Sequence, residues 1–369
     1  MNIVHTESSL GWGGQELRIL SEAQGLANRG HLLTLLCPPE ARIYSEAPRF
    51  GLRTVALPIG KKRWEGVRAL KDWLSRNSCD VLSTHSSTDS WLGAVAVLGK
   101  RIPIVRTRHI SAAVPRNPLS RWLYSRPVHI VTAGEALRRE LIEKNGIAPE
   151  RVESVPTGAD PNRYRPGDRL AARAQCGLPS EKILIGIVAT LRSWKGHRFL
   201  LEALPDGATL VIVGDGPQRE ALTARVAELK LGDRVIFAGN QVDVVPWMQA
   251  LDVFALPSYA NEGVPQALVQ AMLVGLPCVT TPVGSISELA MNEQTALVVP
   301  PQDVPALRAA LQRLVADQSL RQTLGAAARQ HCEQTMSVER MLDRMEAIYS
   351  QAVESYLRRS GVRRRSSVR

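Results

Sequence analysis

Short aliphatic and β-branched runs alternate with longer segments of helical periodicity through almost all of the 369 residues. This alternation is typical of parallel sheets built from βαβ units. The predicted strands form two sets, and each set is sufficient for a complete doubly wound sheet. The first set is 2–6, 32–37, 53–57, 80–84, 104–107, 129–132 and 152–155, and the second is 182–189, 208–214, 234–238, 253–256, 278–281 and 296–299.

The segment 157–182 separates the two sets and contains three prolines, three glycines and no apolar period. This composition is typical of a connection, so we predict a boundary near Pro166 between a domain 1–165 and a domain 166–339. After residue 304 the pattern is wholly helical. We expect the last helix, about 340–356, to pack back onto the first domain and 357–369 to form a disordered basic tail.

The composition excludes several classes of protein. With 44% hydrophobic and 22% charged residues, the chain is an ordinary globular protein of about two domains. Its five cysteines are odd in number and never form a C-x-x-C pair, which argues against a disulfide framework or a thiolate zinc site and favours a reducing cytoplasm. No secretory leader is visible, and apolar runs of about nine residues are far shorter than the ~18 residues needed to span a bilayer.

Candidate chemistry in the first half lies where predicted strands end. Glycines in the segment 11–16 (Gly-Trp-Gly-Gly-Gln-Glu) directly after the first strand would let backbone N–H groups approach a phosphate at the start of a helix. A plain tight turn would use the same glycines, and the segment is not a G-x-G-x-x-G motif. His109 and His85 also follow predicted strands. A histidine at such a position either binds a ligand or is simply packed against its neighbours. We interpret His5 as structural.

The second half has two polar segments after strands. Arg192 and Lys195 follow the strand 182–189, where phosphate charge would offset their desolvation, although a solvated loop would also accommodate them. Glu262 precedes a predicted helix that contains Gln270. A lone acid there is often only a helix cap. The eight-residue spacing, about two helical turns, predicts that both side chains project from one side and grip two parts of an elongated ligand.

From about residue 184 to 301 these segments, in this order, resemble the nucleotide-binding domain of the family 4 glycosyltransferases, which have the GT-B fold. The matching segments are 192–196, the G-x-G-P turn 213–217, the F-x-G strand end 237–239, the signature element 252–272, and 275–279 with 284–288. The first half matches more loosely, through 13–16, 107–109 and 155–160.

The resemblance implies an α/β protein of GT-B fold, in which two Rossmann-like doubly wound domains face a central cleft. It also implies a retaining hexosyl- or related glycosyltransferase that moves a sugar from a nucleotide-sugar donor to a saccharide or lipid-linked saccharide acceptor. Neither a metal nor another cofactor would be required, and the product would be a cell-surface glycan of the lipopolysaccharide or exopolysaccharide type. A nucleotide-sugar hydrolase or epimerase of the same fold, and a non-catalytic sugar-nucleotide binder, are the alternatives.

The resemblance also implies roles for individual residues. Lys195 would hold the donor diphosphate, Glu262 a hydroxyl of the transferred sugar, and His109 the sugar near its reacting face. These three are the expected catalytic residues; donor binding is expected of Gly13, Gly14, Arg192, Lys195, Gly214, Gly263, Val264 and Gln270, and acceptor binding of Glu16, His85 and Arg108.

The sequence departs from the family pattern at three places. Gln270 stands where the family has a second glutamate, and an amide can still bond ribose hydroxyls. Ala189-Thr190 replaces a glycine-arginine pair, so Arg192 would supply the missing charge beside the diphosphate. Ser285 replaces a glycine. We expect these changes to mark a subgroup with activity retained.

The net charge of +11 is confined to two stretches. Residues 357–369 contain six arginines and no acid, and residues 90–134 contain seven Lys/Arg and no acid, so the remainder is nearly neutral. Basic and aromatic residues mix in 100–126 and in 61–64, as at a lipid headgroup interface, although a solvated loop rim fits equally. No nucleic-acid-binding motif accompanies the charge. We therefore expect an anionic membrane surface, on the inner face of the plasma membrane, as a partner and not nucleic acid.

Overall fold

The computed structural model describes residues 1–109 and 114–359, which form two compact units. Unit 1 consists of Met1–Pro156 and the described residues from Arg340 onward, and unit 2 is Thr157–Glu339. Each unit has its own parallel sheet with helices, so the predicted α/β class with two Rossmann-like sheets is confirmed. All thirteen predicted strands are present, and no strand boundary differs from its prediction by more than one residue.

The boundary between the units lies earlier than the predicted position near Pro166. Ala159 and Tyr164 are both buried in the core of unit 2. The backbone N–H of Ala159 also donates to Met336 at 3.0 Å, and Val338 donates to Ala159 at 3.1 Å. The segment was interpreted as a connection because it lacks an apolar period, but these few contacts are enough to attach it to unit 2.

The sheet of unit 1 has the strand order β3-β2-β1-β4-β5-β6-β7. Its strands are β1 (Asn2–Thr6), β2 (Leu32–Cys37), β3 (Arg53–Ala56), β4 (Val81–Thr84), β5 (Ile104–Arg108), β6 (His129–Thr132) and β7 (Val152–Ser154). Its helices are α1 (Gly14–Asn28), α2 (Arg42–Glu46), α3 (Trp64–Arg76), α4 (Ser87–Ala96), α5 (Pro118–Ser125), α6 (Glu135–Glu143) and, from Arg340 onward, α14 (Val338–Arg359).

The central strands of unit 1 bring three carboxyl ends together. β1 and β4 are buried along almost their whole length, including the polar residues at their carboxyl ends, which are His5, Thr6, Ser83 and Thr84. His5 pairs with Ser83 between β1 and β4, and Leu82 pairs with Ile104 between β4 and β5. Chain segments that leave β1, β4 and β5 therefore begin side by side at one edge of the sheet, where ligands of open α/β sheets bind.

Helix α14 packs on α1 in the interior of unit 1. A Cβ added to Gly25 of α1 would lie 2.4 Å from Leu342 Cδ1, so glycine permits the close approach of the two helices. The Tyr349 hydroxyl donates to Glu22 Oε1 at 2.8 Å. The helix ends at Arg359, beyond the expected end at 356. Of the expected basic tail, residues 360–369 lie outside the described residues.

The sheet of unit 2 has the strand order β10-β9-β8-β11-β12-β13. Its strands are β8 (Ile183–Val188), β9 (Ala208–Val213), β10 (Val235–Gly239), β11 (Val253–Leu256), β12 (Cys278–Thr280) and β13 (Leu297–Val298). Its helices are α7 (Arg169–Cys176), α8 (His197–Ala203), α9 (Arg219–Glu228), α10 (Val245–Gln249), α11 (Gln266–Leu273), α12 (Val304–Ala316) and α13 (Gln318–Thr335). Within the described ranges, no helix has the length and apolarity that a membrane crossing requires.

Candidate active site

An ion pair lies at the carboxyl edge of the unit 2 sheet. Lys195 is in a single 3-10 turn after β8, and Glu262 is in the loop between β11 and α11. Lys195 Nζ donates to Glu262 Oε1 at 2.7 Å, and the Ser258 hydroxyl donates to the same oxygen at 2.6 Å. The Glu262 side chain is 5% exposed and that of Lys195 is 21% exposed. The ammonium group is thus the accessible member of the pair and is placed to meet an anionic ligand.

Close backbone contacts fix the loops that present this pair. Gly196 has a φ of 79°, and a Cβ there would lie 2.0 Å from the Pro257 carbonyl oxygen. Gly284 has a φ of 61°, and its Cβ would lie 1.9 Å from the carbonyl oxygen of Glu262. Only glycine fits either position. The loops after β8, β11 and β12 therefore pack directly against one another. This packing fixes the positions of Lys195 and Glu262.

Gly214 has a comparable structural reason to be glycine. Its φ is 132°, and a Cβ would lie 2.1 Å from the carbonyl oxygen of Ala189. Its N–H donates to Gly239 at 2.8 Å, and the Leu191 N–H donates to Asp215 at 3.0 Å. The G-x-G turn thus packs directly against the loop that leads to Lys195. Because this contact alone requires glycine, the predicted donor contact of Gly214 stays a prediction.

Among the described residues, no side-chain hydrogen bond joins the other predicted donor residues of unit 2 to this pair. Arg192 is exposed, with its guanidinium 5.6 Å from the ring centroid of Trp194. Val264 and Gln270 are buried, and Gly263 is half-buried. The expectation that Glu262 and Gln270 project from one side stays a prediction, and the structure removes its argument from helical spacing. Pro265 is the N-cap of α11, so Glu262 lies before the helix and helical periodicity does not relate the two residues.

Unit 1 contains a chain of three histidines across neighbouring strands. His5 Nδ1 is 2.8 Å from His85 Nε2, and His85 Nδ1 is 3.0 Å from His109 Nε2. The rings of His5 and His85 are stacked, with centroids 5.1 Å apart, and those of His85 and His109 are 5.3 Å apart. Burial lowers the pKa of all three, and for His85 and His109 it does so well below the ordinary value. At neutral pH the chain is therefore uncharged.

The predicted glycine segment is bracketed by carboxyl groups. Glu7 accepts hydrogen bonds from the N–H of Ser9 at 2.6 Å and from the side-chain amide of Gln15. Burial, followed by the nearby Asp89, raises the pKa of Glu7 to about 8, so this group is mainly neutral at pH 7. Glu16 is also buried, in the first turn of α1.

Gly13 is the N-cap of α1 with extended backbone, and a Cβ there would have no neighbour closer than 3.9 Å. Neither strain nor packing explains a glycine at this position. Open space in front of the helix, with Glu7 neutral, is compatible with the predicted approach of a phosphate to Gly13 and Gly14. The expected acceptor contact of Glu16 stays a prediction, because a carboxylate in the first turn also stabilises the helix dipole.

Arg108 lies at the end of β5 but is directed toward Tyr124 of α5, whose hydroxyl accepts from its guanidinium. Arg106, two residues earlier, is buried with its guanidinium 4.3 Å from the centroid of the same ring. The structure therefore joins His85 to His109 but directs Arg108 to the side chain of Tyr124. Its role toward an acceptor stays a prediction.

Sequence reasoning missed His5, Ser258 and Glu7. His5 was interpreted as structural, yet it is the inner end of the histidine chain. A usable indication was present: three predicted strands each have a histidine at or just after their carboxyl end. In a doubly wound sheet these strands are neighbours, so their histidines are brought together. The sequence contains no comparable indication for Ser258 and Glu7. Their hydrogen-bond partners depend on the conformations of loops, which the sequence pattern does not predict.

Among residues 1–109 and 114–359, no cluster of three or more His, Cys, Asp or Glu side chains could hold a metal ion. The Lys195–Glu262 pair at the sheet edge of unit 2 instead combines an accessible cation with a buried carboxylate. Such a pair can bind an anion through the ammonium group and a hydroxyl through the carboxylate.

Comparison with known families gives a match for each half of the chain. Residues 168–331 match the family described as "Glycosyl transferases group 1", and residues 12–163 match "Glycosyltransferase Family 4". Together the two matches include almost every residue of the candidate site in both units.

Individual relatives and a solved structure agree with these matches. The 2-deoxystreptamine glucosyltransferase of Streptomyces kanamyceticus is 28% identical over 349 residues, which cover 82% of this chain and 89% of that protein. The D-inositol 3-phosphate glycosyltransferase of Nocardia farcinica is 30% identical over 68% of this chain, which spans 62% of that relative's length. Anabaena HepE, solved in complex with UDP, has the same fold, with a TM-score of 0.85, 20% identity, and coverage of 95% of this chain and all of HepE.

Proposed function

The chain belongs to glycosyltransferase family 4, the glycosyl transferases group 1 with the GT-B fold, and we propose that it transfers a sugar from a nucleotide-sugar donor to a saccharide or lipid-linked saccharide with retention of configuration. The observation that supports this proposal most is the Lys195–Glu262 pair at the sheet edge of unit 2. The same edge binds nucleotides in many open α/β sheets.

In the proposed reaction Lys195 exchanges its contact with Glu262 for the donor diphosphate. The leaving diphosphate gains negative charge in the transition state, and a fixed cation stabilises it there. Arg192 lies three residues away on an exposed loop and adds positive charge. We propose that these groups perform the electrostatic role for which other transferases use a metal ion, so that no metal is required.

Glu262, once released from Lys195, accepts a hydrogen bond from a hydroxyl of the transferred sugar. Ser258 continues to bond the same carboxylate oxygen, so the carboxylate stays oriented during the exchange. The departing phosphate oxygen accepts the proton of the acceptor hydroxyl as the new glycosidic bond forms on the same face of the sugar. This front-face reaction needs no enzyme nucleophile and suits a site with a single placed carboxylate.

UDP-sugars are the first donors to test, because the similar HepE was solved with UDP. The relatives named above act on aminocyclitol and inositol phosphate acceptors, according to their names, so small polyols belong in the acceptor panel. We propose a surface glycan of lipopolysaccharide or exopolysaccharide type as the product, because unit 1 exposes a basic and aromatic surface described below.

The donor is tested by thermal unfolding with a panel of nucleotide sugars, followed by product analysis. We expect one nucleotide sugar to stabilise the protein by about 2.7 kcal/mol at 100 times its Kd, because it binds only the folded state. Product should form only with an acceptor, should keep the donor's anomeric configuration, and should be unaffected by EDTA. Nucleotide release at the same rate without acceptor would instead identify a hydrolase, and binding without turnover would identify a non-catalytic binder.

We propose that one surface of unit 1 contacts the membrane, and we call it the basic aromatic surface. It comprises residues 61–64, Trp91, Leu119 and Arg121. Trp64 is 67% exposed and packs edge-on against Trp91 with centroids 6.0 Å apart. Leu119 is 60% exposed at the start of α5. Each nearby Lys or Arg contributes ~1 kcal/mol of attraction to an anionic leaflet before screening. We therefore propose a cytoplasmic protein that binds the inner face of the plasma membrane.

Sedimentation with anionic vesicles tests this surface. The double variant Trp64→Ser/Leu119→Ser should lose most of the bound fraction, whereas Leu32→Ser should not. Leu32 is 69% exposed in the same unit, but it lies at the amino end of β2, away from the edge where α3 and α5 begin. Binding should also weaken at high salt. Equal sedimentation of both variants, or none by the unaltered protein, would remove the membrane proposal while leaving the reaction intact.

A further inference from the structure

The histidine chain of unit 1 has one accessible end and one buried end. His109 is half-buried and follows β5, whereas His85 and His5 are almost fully buried. The middle ring, His85, contacts His5 through Nε2 and His109 through Nδ1. The hydrogen bonds therefore run continuously from His5 Nδ1 to His109 Nε2. Within the described residues, His109 Nδ1 makes no hydrogen bond. It belongs to the one ring of the three that is not almost fully buried.

Charged and titratable groups from three helices surround the buried part of the chain. Arg18 and Glu22 of α1 form an ion pair with fully buried side chains, and Tyr349 of α14 lies edge-on to His5, with ring centroids 6.2 Å apart. Asp89 of α4 accepts the backbone N–H of His85 at 2.8 Å. Glu22 acts to raise the pKa of His5 and Arg18 acts to lower that of His85 and His109, but burial is the larger cause for each ring.

A neutral imidazole has one N–H donor and one bare nitrogen acceptor. In a chain of neutral imidazoles every hydrogen bond must therefore point in the same direction. If the chain points outward, His109 Nδ1 has the hydrogen and His5 Nε2 is bare. If it points inward, His5 Nε2 has the hydrogen and His109 Nδ1 is bare.

The buried end favours the outward direction. His5 Nε2 is buried and has no hydrogen-bond partner among the described residues. An N–H without an acceptor in the interior is rarer than a bare acceptor without a donor. Glu22 makes no hydrogen bond to this nitrogen: its Oε1 accepts from the Tyr349 hydroxyl, and its Oε2, 3.6 Å from Arg18 Nε, has no hydrogen-bond partner among the described residues. The outward direction avoids a buried orphan N–H.

We propose that His5 and His85 are positioning residues that hold His109 as a neutral imidazole with its Nδ1–H directed outward. His109 is then a fixed hydrogen-bond donor to a hydroxyl or phosphate oxygen and does not act as a general base. The tautomer follows from the chain alone, whereas the contact with a sugar or phosphate rests on the proposed function. In a neutral imidazole, the hydrogen bond made by one ring nitrogen determines whether the other nitrogen has the hydrogen.

Nitrogen-15 NMR of the full chain labelled in histidine tests the tautomer directly, without activity. The resonances of His109 are assigned by their loss in His109→Gln. In the unaltered protein we expect Nδ1 protonated and Nε2 bare, with no titration between pH 8 and pH 6. The sign follows from the lowered pKa: these rings gain a proton only below the ordinary histidine range.

The variant His5→Phe removes the first donor and keeps an aromatic ring of similar size. His109 should then populate both tautomers, so that kcat falls about two-fold at pH 8, because half of the molecules have the competent form. His5→Asn, whose amide can donate at the Nδ1 position, should restore the single tautomer. His129→Gln, outside the chain, should leave the His109 spectrum unchanged.

Protonation of His109 at Nε2 in the unaltered protein, or an unchanged tautomer in a folded His5→Phe variant, would overturn the proposal. If His5→Phe does not fold, the spectrum of the unaltered protein still decides the direction of the chain. An outward tautomer with no glycosyl transfer would leave the proposal standing and reject the proposed function instead.

Discussion

Replacing Lys195 with alanine should lower turnover about 10²- to 10³-fold, the usual effect of removing one group that stabilises transition-state charge. The ammonium group lies at the carboxyl edge of the unit 2 sheet and is the accessible half of the pair with Glu262. A steady-state assay with the identified donor and acceptor would measure the loss. Most of it should appear in kcat, because the diphosphate gains its charge during bond cleavage.

Alanine at this position also leaves Glu262 buried without its cation, so reduced folding could imitate reduced catalysis. The double variant Lys195→Met/Glu262→Gln removes both charges at similar volume and should unfold at nearly the same denaturant concentration as the unaltered protein. It should be as inactive as the single variant. Arg198→Ala is the matched control, because this side chain is 69% exposed and paired with Glu202 one helical turn away. Near-normal turnover of the double variant would reject the site assignment.

The strands and the sheet edge could be predicted from the sequence because both depend on local pattern. Buried parallel strands are often continuous apolar runs, and the runs that predicted β8 and β9 end within one residue of the observed strands. Lys195 and Glu262 were identified because each follows such a run. Their direct contact was not predicted, since it depends on loops that are held together by Gly196 and Gly284.

Contacts between distant parts of the chain were beyond the sequence. Tyr349 and Glu22 are 327 positions apart, and their hydrogen bond exists only because α14 returns to unit 1. From the sequence we expect the last helix to pack back onto the first domain, but its helical period does not identify the residues that it contacts there. The histidine chain differs in this respect, because histidines near the carboxyl ends of three neighbouring predicted strands already indicate that the rings lie close together; only the hydrogen bonds between the rings need the structure.

Replacing Arg18 with leucine should lower the free energy of unfolding by about 3–5 kcal/mol, because it leaves the Glu22 carboxylate buried without a compensating charge. Both side chains of this pair have no solvent exposure, and the Arg18 guanidinium also donates to the Val155 carbonyl oxygen. Urea unfolding followed by a unit 1 tryptophan signal would measure the change. Since α14 packs over this pair, the loss should extend to the C-terminal helix, detectable as faster hydrogen exchange around Tyr349.

A group of exposed ion pairs between Arg29, the C-cap residue of α1, and α14 provides the control. Arg29 contacts Asp343 and Glu346, but these side chains are 23%, 67% and 35% exposed, so Arg29→Leu should cost less than about 1 kcal/mol. The double variant Arg18→Leu/Glu22→Leu should recover most of the lost stability, because it removes the isolated charge as well as its partner. Equal losses for Arg18→Leu and Arg29→Leu would show that charge burial is not what couples the two helices. If the double variant is no more stable than Arg18→Leu, the lost stability comes from packing and from the hydrogen bond to Val155. The unpaired carboxylate would then not be its cause.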